Sequence, residues 1–232
     1  MKREKIKYQN NIPNKFLEKR KTRNNISIIN NSLKKILKEI DKKKDIFHSL
    51  SKSFKLNLNT EELKKFRKFN QMVVVGMGGS ILGTKAIYSF LHHKIKKKII
   101  FLDNLDQRQI ENFSKNKLSK NNLFIVVSKS GNTIETITNL NLIKKNKLNS
   151  SNTIVITEKK QNALNKFAKK ENILTIEHKN FIGGRYSVLS EVGMVPAYLM
   201  GLSISKIRKN LLFFMKESKR MFLAKSISKI SQ

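Results

Sequence analysis

Three short stretches of this chain gather the residue types that can hold a phosphate or another anion. The first, Gly76-Met77-Gly78-Gly79-Ser80-Ile81-Leu82-Gly83, follows a β-branched run and combines closely spaced glycines with a hydroxyl. A dinucleotide-binding fingerprint would need its third glycine where Ile81 stands, since helix and strand touch there without room for a side chain. Asp103 could act as the ribose-binding acid of such a site, so NAD or NADP binding remains the weaker alternative. A tight strand-to-helix turn explains Gly76 but not three glycines and a hydroxyl together.

The second stretch, Ser128-Lys129-Ser130-Gly131-Asn132-Thr133-Ile134-Glu135-Thr136, sets several hydroxyls where a helix should begin. Free N–H groups and the positive end of the helix dipole attract an anion there, and short hydroxyl side chains add donors without filling the space. Ordinary capping needs one Ser or Thr. The spacing is not that of a P-loop. In the third stretch, Gly183-Gly184-Arg185-Tyr186-Ser187, paired glycines allow close backbone approach to a ligand and Arg185 brings a charge that does not titrate. Chain order alone does not choose between that role and a surface charge in a flexible loop.

The elements that must position these turns come from hydrophobic patterning. Short apolar runs at 72–75, 99–102, 123–127, 153–156 and 173–176 alternate with amphipathic segments, which predicts strands and helices around a parallel sheet. Helices are predicted at 80–92, 107–113, 133–147, 163–170, 188–200 and 204–222. The fold class is α/β, a doubly wound parallel five-stranded sheet with helices on both faces, preceded by an N-terminal helical segment. Ligands of such sheets sit at the carboxyl ends of the strands, where all three stretches fall. Before the sheet, Ile29, Leu33, Ile36, Leu37, Ile40, Phe47 and Leu50 recur at helical spacing, and Thr60 is the expected N-cap of a second short helix. The expected division is an N-terminal helical segment at 1–70, a ligand-binding domain at 71–203 and a C-terminal helix at 204–232.

Composition excludes some chemistry and qualifies the rest. With 232 residues and 39% hydrophobic content the chain can bury one sizeable core, and with no Cys it has no disulfide, thiolate nucleophile or Cys-ligated metal. No apolar run reaches membrane-spanning length and the first residues lack a signal peptide's apolar core, so a soluble cytoplasmic protein without membrane association is expected. The formal net charge of +33 comes mostly from Lys scattered along the chain. It lacks an Arg-rich groove, a Cys/His finger and an aromatic-basic RNA-binding pattern, so no specific nucleic acid partner is expected.

Together the three stretches resemble the glucose-6-phosphate isomerase family, built on the sugar isomerase (SIS) fold: GMGGSILG at 76–83, SKSGNTIET at 128–136 and GGRYSVLSEVGMVPA at 183–197, with DNLD at 103–106 similar to the segment after the family's second strand. The resemblance covers roughly 73–201, and the third stretch is its most specific part. It implies interconversion of glucose 6-phosphate and fructose 6-phosphate, a step of glycolysis and gluconeogenesis, with no metal or organic cofactor. It implies that Gly79 and Ser80 contact the sugar, that Ser128, Lys129, Ser130 and Thr133 cradle the phosphate through hydroxyls and backbone amides, and that Arg185 stabilises the enediol's negative charge as the catalytic residue. Asn132 departs from the Thr often found there.

The family's glutamate base, and its histidine and lysine for ring opening, belong to later motifs that have no match here. Glu135, Glu177, Glu191 and His178 are the nearest candidates, and none is nominated as base. The implied protein is a truncated or split isomerase with a complementing C-terminal half, and the alternative is a non-catalytic sugar-phosphate-binding domain. Dimers are usual in the family, so a homo-oligomer is expected. Apolar surface is expected from Phe181 onward, above all at Leu211, Leu212, Phe213, Phe214, Met221 and Phe222.

Overall fold

The computed structural model describes residues 13, 19–106, 108, 122–144 and 148–230. Apart from Arg108, the helix expected at 107–113 lies outside the described residues. Contacts divide the chain into two compact units, one of the described residues in Met1–Asp41 and Asn210–Gln232, the other Lys42–Lys209.

The larger unit is built on five parallel strands, β1 (Gln71–Gly76), β2 (Lys98–Leu102), β3 (Asn122–Val127), β4 (Thr153–Thr157) and β5 (Leu174–Glu177), in the spatial order β2-β1-β3-β4-β5. Every residue of β3 and β4 is buried, which is why these segments read as continuous apolar runs rather than alternating ones. Side-chain alternation divides them between two faces. Met72, Val74, Leu123, Ile125, Val127, Ile154 and Ile156 share one core with Ile81 and Ile87 of α3 (Gly79–Leu91) and Val192, Met194 and Val195 of α6 (Glu191–Leu199). Val73, Val75, Phe124, Val126 and Val155 share the other with Leu140 and Ile143 of α4 (Ile134–Lys144) and Leu164 and Ala168 of α5 (Ala163–Lys170). The sheet is therefore doubly wound, as its pattern predicts.

Three local expectations need correction. The N-cap of α2 (Thr60–Lys64) is Asn59, not Thr60: its side chain accepts from the Glu61 and Glu62 amides, and Asn caps as well as Thr. The helix expected at 188–200 is two pieces, a 3-10 turn Gly184–Leu189 and then α6, separated by extended Ser190. The helix expected at 204–222 is also broken. It begins as α7 (Ile204–Arg208), leaves helical geometry at Lys209 (ψ 130°), and Asn210 has φ 64°, so the apolar spacing continues across a bend that the periodicity does not reveal.

The smaller unit pairs α1 (Lys19–Glu39) with α8 (Glu217–Ile230). Leu33, Met215 and Ala224 are buried between them with Ile29, Ile36, Leu37, Leu212 and Leu223 around, and the Arg220 side chain donates to Asn30 at 2.9 Å. Phe213, Met221 and Phe222 remain exposed.

Candidate functional site

The spatial order changes direction between β1 and β3, the point where doubly wound sheets bind ligands. Gly76 at the end of β1 is in register with Val127 at the end of β3, so the turns beginning at Met77 and Ser128 leave the sheet side by side. The hydroxyls of the second turn converge at the start of α4. Ser128 Oγ lies 2.9 Å from Thr133 Oγ1 and 3.5 Å from Ser130 Oγ, while Ser130 and Thr133 are 3.3 Å apart. Ser128 is buried and accepts from the Gly131 amide at 3.1 Å; Ser130 is exposed. Gly131 has φ 70°, and a Cβ there would meet the Asn162 side chain at 2.1 Å, so both conformation and space require glycine.

The third turn is brought to the first by direct backbone contact. A Cβ on Gly79 would lie 2.5 Å from the Gly184 carbonyl carbon and 2.7 Å from the Arg185 nitrogen. Ser187 Oγ donates to the Gly184 carbonyl at 2.6 Å and reaches the Gly79 carbonyl at 3.3 Å, closing the loop on the first turn. Gly79, Ser80 and the backbone of Arg185 are thus assembled beside the turn holding Ser128, Ser130 and Thr133. Arg185 is exposed and its guanidinium has no hydrogen-bond or ion-pair partner among the described residues. Ser80 is buried in the first turn of α3.

Lys129 differs from the other residues of its turn. Its ammonium donates to the Asn180 carbonyl at 2.7 Å and lies 3.6 Å from Glu158, and its carbonyl accepts from the Glu158 amide at 3.2 Å. Asp103 ion-pairs with Lys85, which occupies the carboxylate a ribose would need.

Several supporting residues carry little sequence signal. Asn132 accepts from the Ala163 amide at 2.9 Å, so the departure from Thr caps α5 from across the loop. Asn162 accepts from the Asn165 amide at 2.8 Å and packs under Gly131. The loop bearing Arg185 is held at its ends by one buried and two half-buried charges. Glu191 is fully buried, and its Oε1 accepts from Lys179 at 2.5 Å and from the Asn57 amide at 2.8 Å, while Oε2 has no partner. Arg208 donates to the carbonyls of Leu189 at 2.6 Å and Ser49 at 2.9 Å; burial lowers its pKa, with Glu191 opposing. Lys179 and Arg208 both lie over the Phe54 ring.

Of the carboxylates near the site, Glu158, Glu177 and Glu191 are engaged in structure, whereas Glu135, in the first turn of α4, has no hydrogen-bond or ion-pair partner among the described residues. Glu158 is held by Lys160 and Lys129; burial pushes its pKa up, and the two ammonium groups outweigh burial to leave it below the ordinary value. Glu177 accepts from Asn57 Nδ2 at 3.4 Å. His178 is buried, donates from Nδ1 to the Lys179 carbonyl at 3.1 Å in the neutral form, and leaves Nε2 without a partner. Burial holds its pKa below the usual histidine value, so it is neutral near pH 7. Among the described residues no group of acids and histidines is arranged to bind a metal ion, and no helix is long and apolar enough to cross a membrane.

The family model for phosphoglucose isomerase matches residues 1–220. The chain belongs to the phosphoglucose isomerase family. It is 36% identical over 151 residues to the glucose-6-phosphate isomerase of Methanocaldococcus jannaschii, covering 64% of this chain and 37% of that protein. It is 32% identical over 190 residues to the probable glucose-6-phosphate isomerase of Methanococcus maripaludis, covering 77% of this chain and 43% of that one. The chain therefore spans about two fifths of the length of these phosphoglucose isomerases. In fold it is similar to a hypothetical protein of Thermus thermophilus (TM-score 0.70, 22% identity, 90% of this chain and 54% of that one). It is also similar to a glucose-6-phosphate isomerase of Chlamydia trachomatis (TM-score 0.61, 20% identity, 88% of this chain and 46% of that one).

Proposed function

We propose that this chain is the phosphate- and sugar-binding half of a glucose-6-phosphate isomerase, with the proton-transferring base supplied by a complementing C-terminal half. Ser128, Ser130, Thr133 and the Lys129 backbone hold the phosphate of a hexose 6-phosphate, Gly79 and Ser80 contact the sugar, and Arg185 stabilises the charge that develops on the enediol oxygen. The observation that carries this reading is the contact of Gly184 and Arg185 with Gly79, which joins the arginine turn to the turn beside the hydroxyl cluster. An unpartnered, exposed guanidinium is available to a substrate, whereas Glu158, Glu177 and Glu191 are already bound to Lys or Asn groups. Geometry favours none of these three acids as a base, which leaves Glu135, unpartnered in the first turn of α4 among the described residues, as the acid to replace if the chain alone turns over substrate.

The test is interconversion of glucose 6-phosphate and fructose 6-phosphate by the purified chain, alone and mixed with a C-terminal half of a family member, with Arg185→Ala as control. Turnover that requires the added half and is lost with Arg185→Ala is the expected result. Binding of a hexose phosphate with no turnover under either condition would instead favour a non-catalytic sugar-phosphate-binding domain. Absence of binding would overturn both.

A further inference from the structure

The opposite end of the sheet carries a different kind of surface. Between Glu62 and Asp103 there is no acidic residue, and eight of the ten residues at 64–68 and 94–98 are Lys or Arg, against 49 in 232 for the whole chain. That density exceeds what the chain's general lysine enrichment would place there. The fold brings the two segments together at the start of β1 and β2. Gln71 is in register with Lys98, the Lys98 amide donates to the Asn70 carbonyl at 3.1 Å, and the Lys97 ammonium donates to the Arg67 carbonyl at 2.9 Å.

Seven of these eight cations have no carboxylate partner among the described residues. Lys64, Lys85, Lys129, Lys160 and Lys179 have carboxylate partners, whereas among the described residues Lys65, Arg67, Lys68, Lys94, Lys96, Lys97 and Lys98 have none. Lys65, Arg67 and Lys68 lie instead over the rings of Phe66, Tyr198 and Phe69. Lys97 is partly buried, and burial together with the neighbouring Arg67 lowers its pKa, so an external anion here would relieve an electrostatic cost. A cleft of about 600 Å³ opens at the same end of the sheet, lined by Lys65 and Lys68 with Ser150, Ser151, Asn172 and Thr175, and by Glu62. Beside the lysines, Phe90 is 81% exposed, and His92 and His93 are also exposed.

We propose that this end of the sheet binds the phosphodiester backbone of single-stranded nucleic acid without reading its sequence. Closely spaced lysines neutralise successive phosphates and release counterions, the cleft offers hydroxyl and amide partners to a sugar or base, and Phe90 provides a face on which a base can stack. The arrangement is compatible with the expectation that no specific nucleic acid is recognised, because nothing in it distinguishes one base from another. A lipid surface is the less suited partner, since one exposed aromatic ring gives little apolar area to insert. The surface lies at the end of the strands remote from the hydroxyl cluster and Arg185, and the proposal does not depend on the sugar-phosphate reading.

The experiment is fluorescence anisotropy of a labelled oligothymidylate of about 20 nucleotides, titrated with the full chain across a salt series centred on about 150 mM. Micromolar or tighter binding at that salt is expected, weakening steeply as salt rises. The triple variant Lys94→Glu, Lys96→Glu, Lys98→Glu should bind at least ~10-fold more weakly and lower the log–log salt slope by about 2, since each single-strand phosphate contact contributes roughly 0.7. A control triple on α1, Lys34→Glu, Lys35→Glu, Lys38→Glu, makes the same change in net charge and should stay within about 3-fold. Lys94→Gln, Lys96→Gln, Lys98→Gln is a milder variant that should show the same loss of slope if the reversal disturbs folding. Equal losses in the two charge-reversal triples, no binding at the working salt, or tighter binding to phosphatidylserine vesicles than to the oligonucleotide would each overturn the proposal.

Discussion

Lys129 and Asn180 are joined by a hydrogen bond from the lysine ammonium to the backbone carbonyl, 2.7 Å long, and the same ammonium faces Glu158 at 3.6 Å. A cation engaged on two sides is poorly placed to serve as a point charge for an anion on its own turn. Its structural effect is to tie the hydroxyl turn to the loop that leads into Arg185.

Lys129→Met is therefore expected to leave affinity for inorganic phosphate within about 3-fold. Ser130→Ala combined with Thr133→Val should lower it at least ~10-fold, because hydrogen bonds to a charged group are worth roughly 1.5–3 kcal/mol each. Titration calorimetry on the three proteins decides. Similar losses in both variants would show that the Lys129 charge reaches the anion after all.

Gly79→Ala should be among the most damaging small substitutions in the larger unit. Its methyl would lie 2.5–2.8 Å from three atoms of the Gly184–Arg185 backbone, which cannot rotate aside as a side-chain tip could. A cost of about 2 kcal/mol or more is expected, together with displacement of the arginine turn. Urea denaturation measures the first. Loss of hexose phosphate binding under conditions where the variant is still folded measures the second.

The buried pair of Lys179 and Glu191 predicts an asymmetry. Glu191→Leu leaves the Lys179 ammonium without its carboxylate and the Asn57 amide without its acceptor, and should cost about 3 kcal/mol. Adding Lys179→Met should recover a substantial part of that loss, because an apolar pair avoids desolvating two charges. If the double variant is no more stable than Glu191→Leu alone, the pair is not what couples these two positions.

Stability should also fall on mild acidification. Burial holds His178 below its ordinary value of 6.5, with the Lys179 carbonyl opposing and Lys129 adding to the effect, so the unfolded chain accepts a proton that the folded protein resists. The contribution is intact above 6.5 and is lost as pH falls below it toward the folded-state value. His178→Gln should flatten the dependence of the urea midpoint between about pH 7 and pH 5.5. Glu158 is displaced downward from 4.5, so its contribution is present above that value and disappears at lower pH, outside this window. An unchanged slope in the variant would assign the effect to other groups.

The central strands β1, β3 and β4 were legible because burial on both faces demands continuous apolar runs, and the shorter apolar runs of the less buried edge strands β2 and β5 became strands as well. The three turns were legible because glycines and hydroxyls at strand ends have few other uses. What periodicity could not show was where a helix breaks. The apolar spacing across Lys209 and Asn210 is uninterrupted, yet Asn210 adopts a left-handed conformation there. Nor could residue type show which member of the SKS turn would have its charge taken up elsewhere, since that depends on Asn180 and Glu158, distant in sequence from Lys129. The cap formed by Asn132 on α5 was hidden for the same reason. At the far end of the sheet, each basic segment is dense in the sequence, but the two come together only when β1 and β2 pair.

The order of the strands also constrains how the chain acquires this shape as it is synthesised. β1 takes both its partners, β2 and β3, from later in the chain, so it must wait as an unpaired apolar segment until they emerge from the ribosome. β4 and β5 then join in the order in which they are made. The approach of Gly184 to Gly79 comes after all of these, joining the earliest of the three turns to the latest. Interruption of translation before that loop would release a sheet whose strands are paired and whose hydroxyl turn is formed, yet which lacks its arginine, an intermediate bearing exposed apolar surface that chaperones would be expected to retain.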